Sequence, residues 1–515
     1  MSDSFFSSEL PEVKLVGAIS NPYDLSIATA RTCYSGKGII MPEEVSKDEK
    51  AKKLRDSIAE STLEAGHLTT RQHAHFVFAL NRVSRSFIWS FLHSHPFYNS
   101  EQVSQRYVKV KGNFTVPCLL PSEQELFEKT LHLQMKAYEE LIKLLMPAVT
   151  EEYYRIFPSR KKEKGDLWVK SIQKKAYEIA RYVLPVATQA YLYHTVSALT
   201  LLRYYKMMGC SDTPSEQTFV IRRMVEEVVK LDPDFKKELS NSLDLKTESE
   251  EVSFSKAKRF CKEFDARLQG QYSILVDSSQ NAQVTLAQAV RAVLGKAKED
   301  LTDKDAIDLV LNPSKNNLLG NTLNLMTLSK LTRTLFQVHF TFQKKISHTA
   351  DSQDQRHRMT PGSRPLLSAH YFGEPDVIYP KLLGEVSSAK KCYDEVIEQT
   401  VEAVNTLLKS GVSFEKAHYL LPNAWGIRFH ESGDLLNWHH KWKLRTCYNA
   451  QEEIFYASVQ ELMEVQKKFP LIAATIKAPC FIRKLAQEKP FCPEGDRYCG
   501  VPVWTLPIER YQRLI

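Results

Sequence analysis

Apolar and polar positions fall into two similar series along this chain. Near the start, the apolar pair Leu15-Val16 leads into DLSIATAR, which ends at Arg31. Far downstream, Leu275-Val276 leads into VTLAQAVR, which ends at Arg291. Both stretches predict a short strand running into a helix with a Ser or Thr near its start. Next in each series comes a tetrad of alternating character, His75-Phe76-Val77-Phe78 and His339-Phe340-Thr341-Phe342, the pattern of a half-buried strand. Each series then reaches a proline-stopped segment, Tyr182-Val183-Leu184-Pro185-Val186-Ala187 and Tyr419-Leu420-Leu421-Pro422-Asn423-Ala424. The proline ends or kinks a helix there. Three matches in one order predict an internal duplication.

The remaining pattern fills in the boundaries. Helical periodicity runs over 123–150 and 168–182, and the basic stretch SRKKEKGD between them reads as a solvated loop. Residues 232–270 are charged, carry LKTESEEVSFSKAKR, and read as a linker with some helix. The expected organisation is a first copy over 1–231, this linker over 232–270, a second copy over 271–475 and a cysteine-containing tail over 476–515. A chain of 515 residues is long enough for two or three domains.

Composition narrows the function classes. Hydrophobic residues at 43% and charged residues at 25% are those of a soluble globular protein. The net charge of +8 suits anionic ligands but is too diffuse to predict a nucleic-acid interface. No apolar stretch is long enough to predict a membrane span. The opening MSDSFFSSELPEVK has neither a basic nor an apolar leader region, and the nine scattered cysteines read as reduced thiols, so a cytoplasmic protein is expected.

Two short segments carry candidate chemistry. Arg356-His357-Arg358, in DSQDQRHRMTPGSR, sets two planar guanidinium forks about a histidine on a turn, a donor cluster suited to phosphate. NSEQVSQRYVKV follows the helix-like run Phe87–Leu92, and its Ser104, Gln105 and Arg106 offer a hydroxyl, an amide and a guanidinium at turn spacing. Each segment by itself also reads as a plain surface turn. Their positions tie them together: His95 lies 20 residues past His75, and Arg356-His357-Arg358 lies 17 to 19 residues past His339. The two segments thus occupy corresponding places in the two copies.

At these residues the chain resembles the flavin-dependent thymidylate synthases. Their signature joins Arg-His-Arg to a following Asn-Glu-x-Ser-x-Arg-Tyr, and this sequence splits it. The second copy keeps Arg356, His357 and Arg358 but continues as MTPGSRP, whereas the first keeps Ser104-Gln105-Arg106-Tyr107 after Ser94-His95-Pro96. Gly66-His67-Leu68-Thr69 is similar to the family's flavin-meeting Gly-His-x-Thr, which implies cofactor contacts for His67 and Thr69. Ala180-Arg181 with Leu184-Pro185 resembles the helix whose arginine meets the nucleotide. Leu444-Arg445 followed by Ala450-Gln451-Glu452-Glu453-Ile454 resembles the segment that sends an arginine across a subunit interface.

The losses are complementary. His418 stands in the second copy where Arg181 stands in the first, and Met208 stands in the first where Arg445 stands in the second. In the family, one subunit gives the Ser-x-Arg turn and the helix arginine; its neighbour gives the glutamine just before Arg-His-Arg and the crossing arginine. By that pattern the first copy supplies Gln102, Ser104, Gln105, Arg106 and Arg181 to the substrate, and the second supplies Gln353 and Arg445, with Arg445 also the catalytic candidate. Arg356, His357, Arg358, His67 and Thr69 are the implied cofactor residues. Cys33, Ser197 and Gln102 depart from the family's Ser, Asn and Glu.

The resemblance implies an α+β fold: in each copy a mostly antiparallel sheet with packed helices and a helical hairpin. It implies FAD as cofactor, NADPH and methylenetetrahydrofolate as co-substrates, and conversion of dUMP to dTMP with the two copies sharing the active site. The family assembles as a homotetramer, so a homodimer of duplicated chains, a pseudo-tetramer of four domains, is expected. The alternative is a catalytically impaired, nucleotide- and flavin-binding regulatory relative, which the three departures motivate. Two further segments are read as structural. Cys480, Cys492 and Cys499 in the tail are spaced too loosely for a usual zinc motif, contain no CxxC, and are taken as structural thiols, so no metal is expected. Trp438-His439-His440-Lys441-Trp442 is read as packing, with one histidine near the flavin, because adjacent helical histidines point to different sides.

Overall fold

The computed structural model describes residues 5–162, 168–208, 210, 213–239, 253–321, 329–513 and 515. The middle of the expected linker, 240–252, and residues 163–166 of the SRKKEKGD loop lie outside the described residues. Among the described residues the strands form two antiparallel sheets. One contains β1 (Glu12–Ala18), β2 (His75–Ser84), β3 (Asn99–Gln102) and β4 (Gln189–Ser197) in the order β1-β2-β4-β3; the other contains β5 (Ser273–Ser278), β6 (His339–Ser347) and β7 (Gly426–Asp434) in the order β5-β6-β7. The α+β architecture and the duplication are both present.

Local detail carries the duplication further than the apolar pattern. β1 runs into the helix Pro22–Thr32 and β5 into the helix Ala282–Leu294. The β1–β2 register jumps from Leu15↔Phe78 to Gly17↔Val77, and the β5–β6 register jumps from Leu275↔Phe342 to Asp277↔Thr341. Each first strand therefore carries a one-residue bulge at the same place, Val16 or Val276. β2 and β6 each end at a serine, Ser84 or Ser347, which caps the next helix by accepting from the N–H three residues on, 2.8 Å to Phe87 and 3.1 Å to Ala350.

The chain divides into two compact units: residues 1–133, 185–251 and 403–421 make the first, and 134–184, 252–402 and 422–515 make the second. These units do not follow the sequence copies. The stretch 134–184 of the first copy, ending in Tyr182-Val183-Leu184, is part of unit 2, and the stretch 403–421 of the second copy, ending in Tyr419-Leu420-Leu421, is part of unit 1. Backbone bonds fix each incoming segment: Val186 and Ala187 N–H donate to Leu421 and Tyr419 carbonyls at 2.9 and 3.0 Å in unit 1, while Asn423 and Ala424 N–H donate to Leu184 and Tyr182 carbonyls at 2.7 and 2.9 Å in unit 2. The proline that stops each helix is what releases these groups for pairing.

The expected linker is partly built into both units. Phe235 and Glu238 of 232–239 are buried in unit 1, with Glu238 bonded to Arg71 at 2.7 Å. The helix Phe254–Leu268 buries Ala257, Cys261, Phe264 and Leu268 in unit 2, one apolar stripe on an otherwise charged helix. The stretch looks like a linker in sequence because its charges, on the outer faces, outnumber that stripe.

The two cores differ at corresponding positions. In unit 1, Leu80, Phe91, His194, Tyr204 and Met224 are all buried, and Phe91, His194 and Tyr204 pack ring on ring at centroid separations of 4.7 to 6.1 Å. In unit 2 the matching places hold Lys344, Asp354, Glu431, Lys441 and Glu461, all fully buried. Lys344 Nζ lies 2.9 Å from both Glu431 and Glu461, and Lys441 Nζ lies 2.7 Å from Asp354 and 2.5 Å from Glu431. Burial opposes the charge on Asp354, but Lys344, Lys441 and Arg364 outweigh it and hold its carboxyl well below the usual range.

Two outcomes are expected. Lys344→Leu should destabilise the protein by about 3–5 kcal/mol, because three buried carboxylates lose a cation. Replacing all five charges by the unit 1 residues (Lys344→Leu, Asp354→Phe, Glu431→His, Lys441→Tyr, Glu461→Met) should recover most of that loss; denaturant melts of both variants check it, and a quintuple variant worse than Lys344→Leu refutes it. Separately, fragments 1–250 and 251–515 expressed apart should each lack native tertiary structure, since each is missing a segment of its own unit. Near-ultraviolet circular dichroism of each fragment, and of their mixture, checks this; a native-like spectrum from either fragment by itself contradicts it.

Candidate active site

The Arg356-His357-Arg358 turn follows the short helix His348–Asp354 in unit 2. His357 is buried, Arg358 half-buried and Arg356 exposed. His357 N–H donates to Asp354 O at 3.0 Å, so the buried charge network anchors the turn. The Nε–H of Arg445 donates to His357 Nε2 at 2.7 Å. That contact requires Nε2 to be the unprotonated ring nitrogen. Electrostatics agree: burial, then Arg445 and Lys441, push the His357 imidazole well below its ordinary value.

Arg445 ends the helix Leu435–Arg445, and the segment after it is held from several sides. Gln353 Oε1 accepts Gln451 N–H at 3.0 Å, and Gln451 Nε2 donates to Tyr182 OH at 2.6 Å. Arg513 bonds the Ala450 carbonyl, and Gln512 N–H donates to Tyr448 OH at 3.0 Å. The C-terminal stretch is therefore not a loose tail; it packs onto the loop that follows Arg445. Arg181, adjacent to Tyr182, is buried, and Asn423 donates to its carbonyl at 3.0 Å. Unit 2 thus contains Arg181 from the first copy with Gln353, Arg356, His357, Arg358 and Arg445 from the second.

The other named residues belong to unit 1. β3 leads into the turn where Ser104 Oγ accepts Arg106 N–H at 3.2 Å, with Gln105 and Arg106 buried. A strand precedes this turn, because Asn99–Gln102 pairs with β4. Gln102 Oε1 accepts from Arg85 at 2.6 Å. His67 and Thr69 are exposed at a short helical turn, Leu68–Gln72, which Arg71 ties down by donating to Ala59 O at 2.8 Å. His418, the counterpart of Arg181, is buried with Nε2 2.7 Å from Ser86 Oγ.

Sequence reasoning missed several of these groups. Trp438 and Trp442 are core residues, as their spacing implies, but His440 packs edge-on to His357 with centroids 5.6 Å apart. Burial, then Lys443 and Arg445, lowers His440 to about 4, and burial lowers the Lys443 ammonium to about 8. Lys443 carried no signal beyond being basic near a helix end. Tyr182 and Gln451 were inside quoted motifs, but their partnership joins residues 269 apart in sequence.

Comparison with known proteins follows the same residues. The profile of the family described as thymidylate synthase complementing protein matches 14–234 and 274–471, once per copy. The chain is 28% identical over 226 residues to a flavin-dependent thymidylate synthase of Clostridium tetani, covering 43% of this chain and 84% of that protein. It is 32% identical over 151 residues to that of Saccharolobus solfataricus, covering 28% and 56%, and 24% identical over 261 residues to that of Haloarcula marismortui, covering 44% and 91%.

Buried neutral histidines give this region a pH signature. Burial, then Lys443 and His440, lowers His439 to about 3, and its ring is nearly inaccessible. An unfolded histidine titrates near ~6.5, so the unfolded chain takes up the proton first and stability falls as pH drops below that value. His439→Phe should flatten the decline between pH 6 and pH 4 by up to about 1.4 kcal/mol per pH unit. Urea melts across that range check it, and an unchanged slope contradicts it.

Proposed function

The chain belongs to the thymidylate synthase complementing protein family, and from that premise we propose that it is a flavin-dependent thymidylate synthase acting on dUMP. On this reading methylenetetrahydrofolate gives the one-carbon unit, NADPH is the reductant and FAD is the cofactor. The observation that carries the reading is the set in unit 2. Arg181 comes from the first copy and Gln353 and Arg445 from the second, and Gln451 bonds both Tyr182 and Gln353. Each copy's sequence lacks part of this set, so both copies contribute to one kind of site.

The donor chemistry around His357 fits a flavin dinucleotide. Exposed Arg356 and half-buried Arg358 flank the turn and present guanidinium forks suited to a diphosphate. His67 and Thr69, exposed on their own turn, are assigned to the cofactor as well. The flavin, when bound, supplies hydride-transfer chemistry that no side chain provides. The protein's part is to bind and polarise. Arg106 and Arg181, with Ser104, Gln105 and Gln102, are assigned to the nucleotide. Arg445 is oriented by neutral His357, which accepts its Nε–H, and its guanidinium is assigned to polarise a uracil carbonyl. Gln353 fixes the loop after Arg445 and so holds that arginine in register. No protein nucleophile is required. Two chains supply four copies, and a homodimer is the proposed assembly.

One observation favours the second reading, a regulatory relative that binds nucleotide or flavin without turnover: Gln102 stands where the family has Glu, and its carbonyl oxygen is engaged by Arg85. Purified protein should be yellow and release tritium from 5-labelled deoxyuridylate when given methylenetetrahydrofolate and NADPH; flavin without tritium release selects the second reading. Arg106→Ala and Arg181→Ala should each weaken dUMP binding by on the order of 1.5–3 kcal/mol, roughly tenfold to hundredfold. Arg356→Ala with Arg358→Ala should strip the flavin while the fold survives. Calorimetry showing unchanged dUMP affinity in both single variants, or full flavin in the double variant, defeats the corresponding assignment.

A further inference from the structure

Four of the nine cysteines meet in one place. Cys447, just past Arg445, and Cys480, Cys492 and Cys499 of the C-terminal stretch line a single cavity in unit 2. The cavity has about 20 Å³ of interior space, room for one ion or water but not for an organic ligand. All four are thiols rather than disulfides. Each sulfur also faces a backbone N–H: Asn449 for Cys447, Phe481 for Cys480, Glu494 for Cys492 and Val501 for Cys499. Three of these donors sit two residues after their cysteine, a tight turn that wraps an amide onto sulfur. Burial raises all four thiols, and these N–H groups pull them only part of the way back.

We propose that Cys447, Cys480, Cys492 and Cys499 form a structural tetrathiolate site for a zinc ion. Four sulfur donors with no room for a further ligand match a closed tetrahedral site, with Zn–S near 2.3 Å. Among the described residues no three His, Cys, Asp or Glu side chains stand at coordination spacing, so binding requires the sulfurs to close in on the ion by side-chain rotation. Binding exchanges four thiol protons for one divalent cation and leaves a net charge of −2 on the cluster. Arg483 beside Cys492 and Lys175 beside Cys499 supply compensating positive charge. Four thiols must release their protons to bind the ion, so the affinity falls steeply on acidification. Cys499 Sγ now lies 3.5 Å from the Val501 carbonyl, a thiol contact that metal binding replaces. The consequence is mechanical: the ion would staple the loop that follows Arg445 to the C-terminal stretch. The sequence hid this because the fourth ligand lies 33 residues before the other three.

The test uses the full chain, purified without chelators. Elemental analysis should find close to one zinc per chain. Cobalt exchanged into the protein should show intense thiolate-to-metal charge transfer and the strong visible bands of tetrahedral sulfur coordination. Cys492→Ser and Cys499→Ser should each lower zinc content at least fivefold, while Cys118→Ser, at an exposed position outside the cavity, leaves it unchanged. Hydrogen exchange across 446–451 should quicken on zinc removal. Should the serine variants fail to fold, the wild-type metal content and cobalt spectrum decide. Zinc far below stoichiometry with a weak, octahedral cobalt spectrum overturns the proposal, as does finding these four cysteines paired in disulfides after alkylation under non-reducing conditions.

Discussion

Two buried carboxylates, Glu216 and Glu453, hold corresponding junctions of the two units. Glu216 accepts Ser84 N–H and Oγ–H at 2.8 and 2.6 Å and Tyr419 OH at 2.6 Å. Glu453 accepts Ser347 N–H and Oγ–H at 2.6 and 2.5 Å and the Tyr182 hydroxyl. Each tyrosine comes from the other sequence copy. One carboxylate therefore joins the end of the central strand, the start of a long helix and the exchanged segment. Burial raises both carboxyl pKa values, and the hydrogen-bond donors to each pull them part of the way back. A group that is buried and fully used in this way is destabilising to lose by several kcal/mol, so the exchange is fixed by the same bonds that fix each sheet to its helix.

The exchange decides where chemistry ends up. Because the Tyr182 segment is part of unit 2, its neighbour Arg181 is there too, with Gln353 and Arg445. The charged core of unit 2 serves that arrangement. Asp354 bonds Lys441, and its carbonyl accepts His357 N–H, so the network sets the turn that presents Arg356 and Arg358. Lys441 and Arg445 together help keep His357 neutral. Unit 1, with an aromatic cluster in the same place, offers no such field. A buried ion network is seldom worth more than an apolar core in stability, which makes its presence on one side an expense borne for the turn.

Much of this was legible in the sequence, and the exceptions have physical reasons. The paired strands, the helix starts and the proline stops follow from local pattern, and both bulges fall where the strand-to-helix pattern repeats. The exchange was not legible, because Tyr182 and Tyr419 occupy equivalent places and either pairing preserves the pattern. Lys344 shares the inward face of Phe340 and Phe342, an unexpected place for a lysine, and it is fully buried; only its distant partners Glu431 and Glu461 explain that. Some helix was expected in 232–270, but the docking of Phe254–Leu268 was hidden among linker charges, since four apolar residues at helical spacing suffice for it. For the site, the motif residues were found, but their sorting into units was not, since that depends on which segment crosses.

The position shared by Arg181 and His418 differs in charge between the two units. In unit 2 it is a buried guanidinium, a permanent cation with several donors. In unit 1 it is a buried imidazole that lies against Ser86, and burial lowers its pKa. A neutral ring has one N–H and no charge to offer an anion. The matching loss of Arg445 at Met208 removes the second cation from the corresponding place. A duplicated chain carries both copies in fixed proportion, so the pseudo-equivalent place in unit 1 can be built as packing. The single histidine-serine contact and the aromatic cluster are what such rebuilding leaves. Duplication followed by exchange thus lets one unit keep the cations while the other keeps only the scaffold of that place.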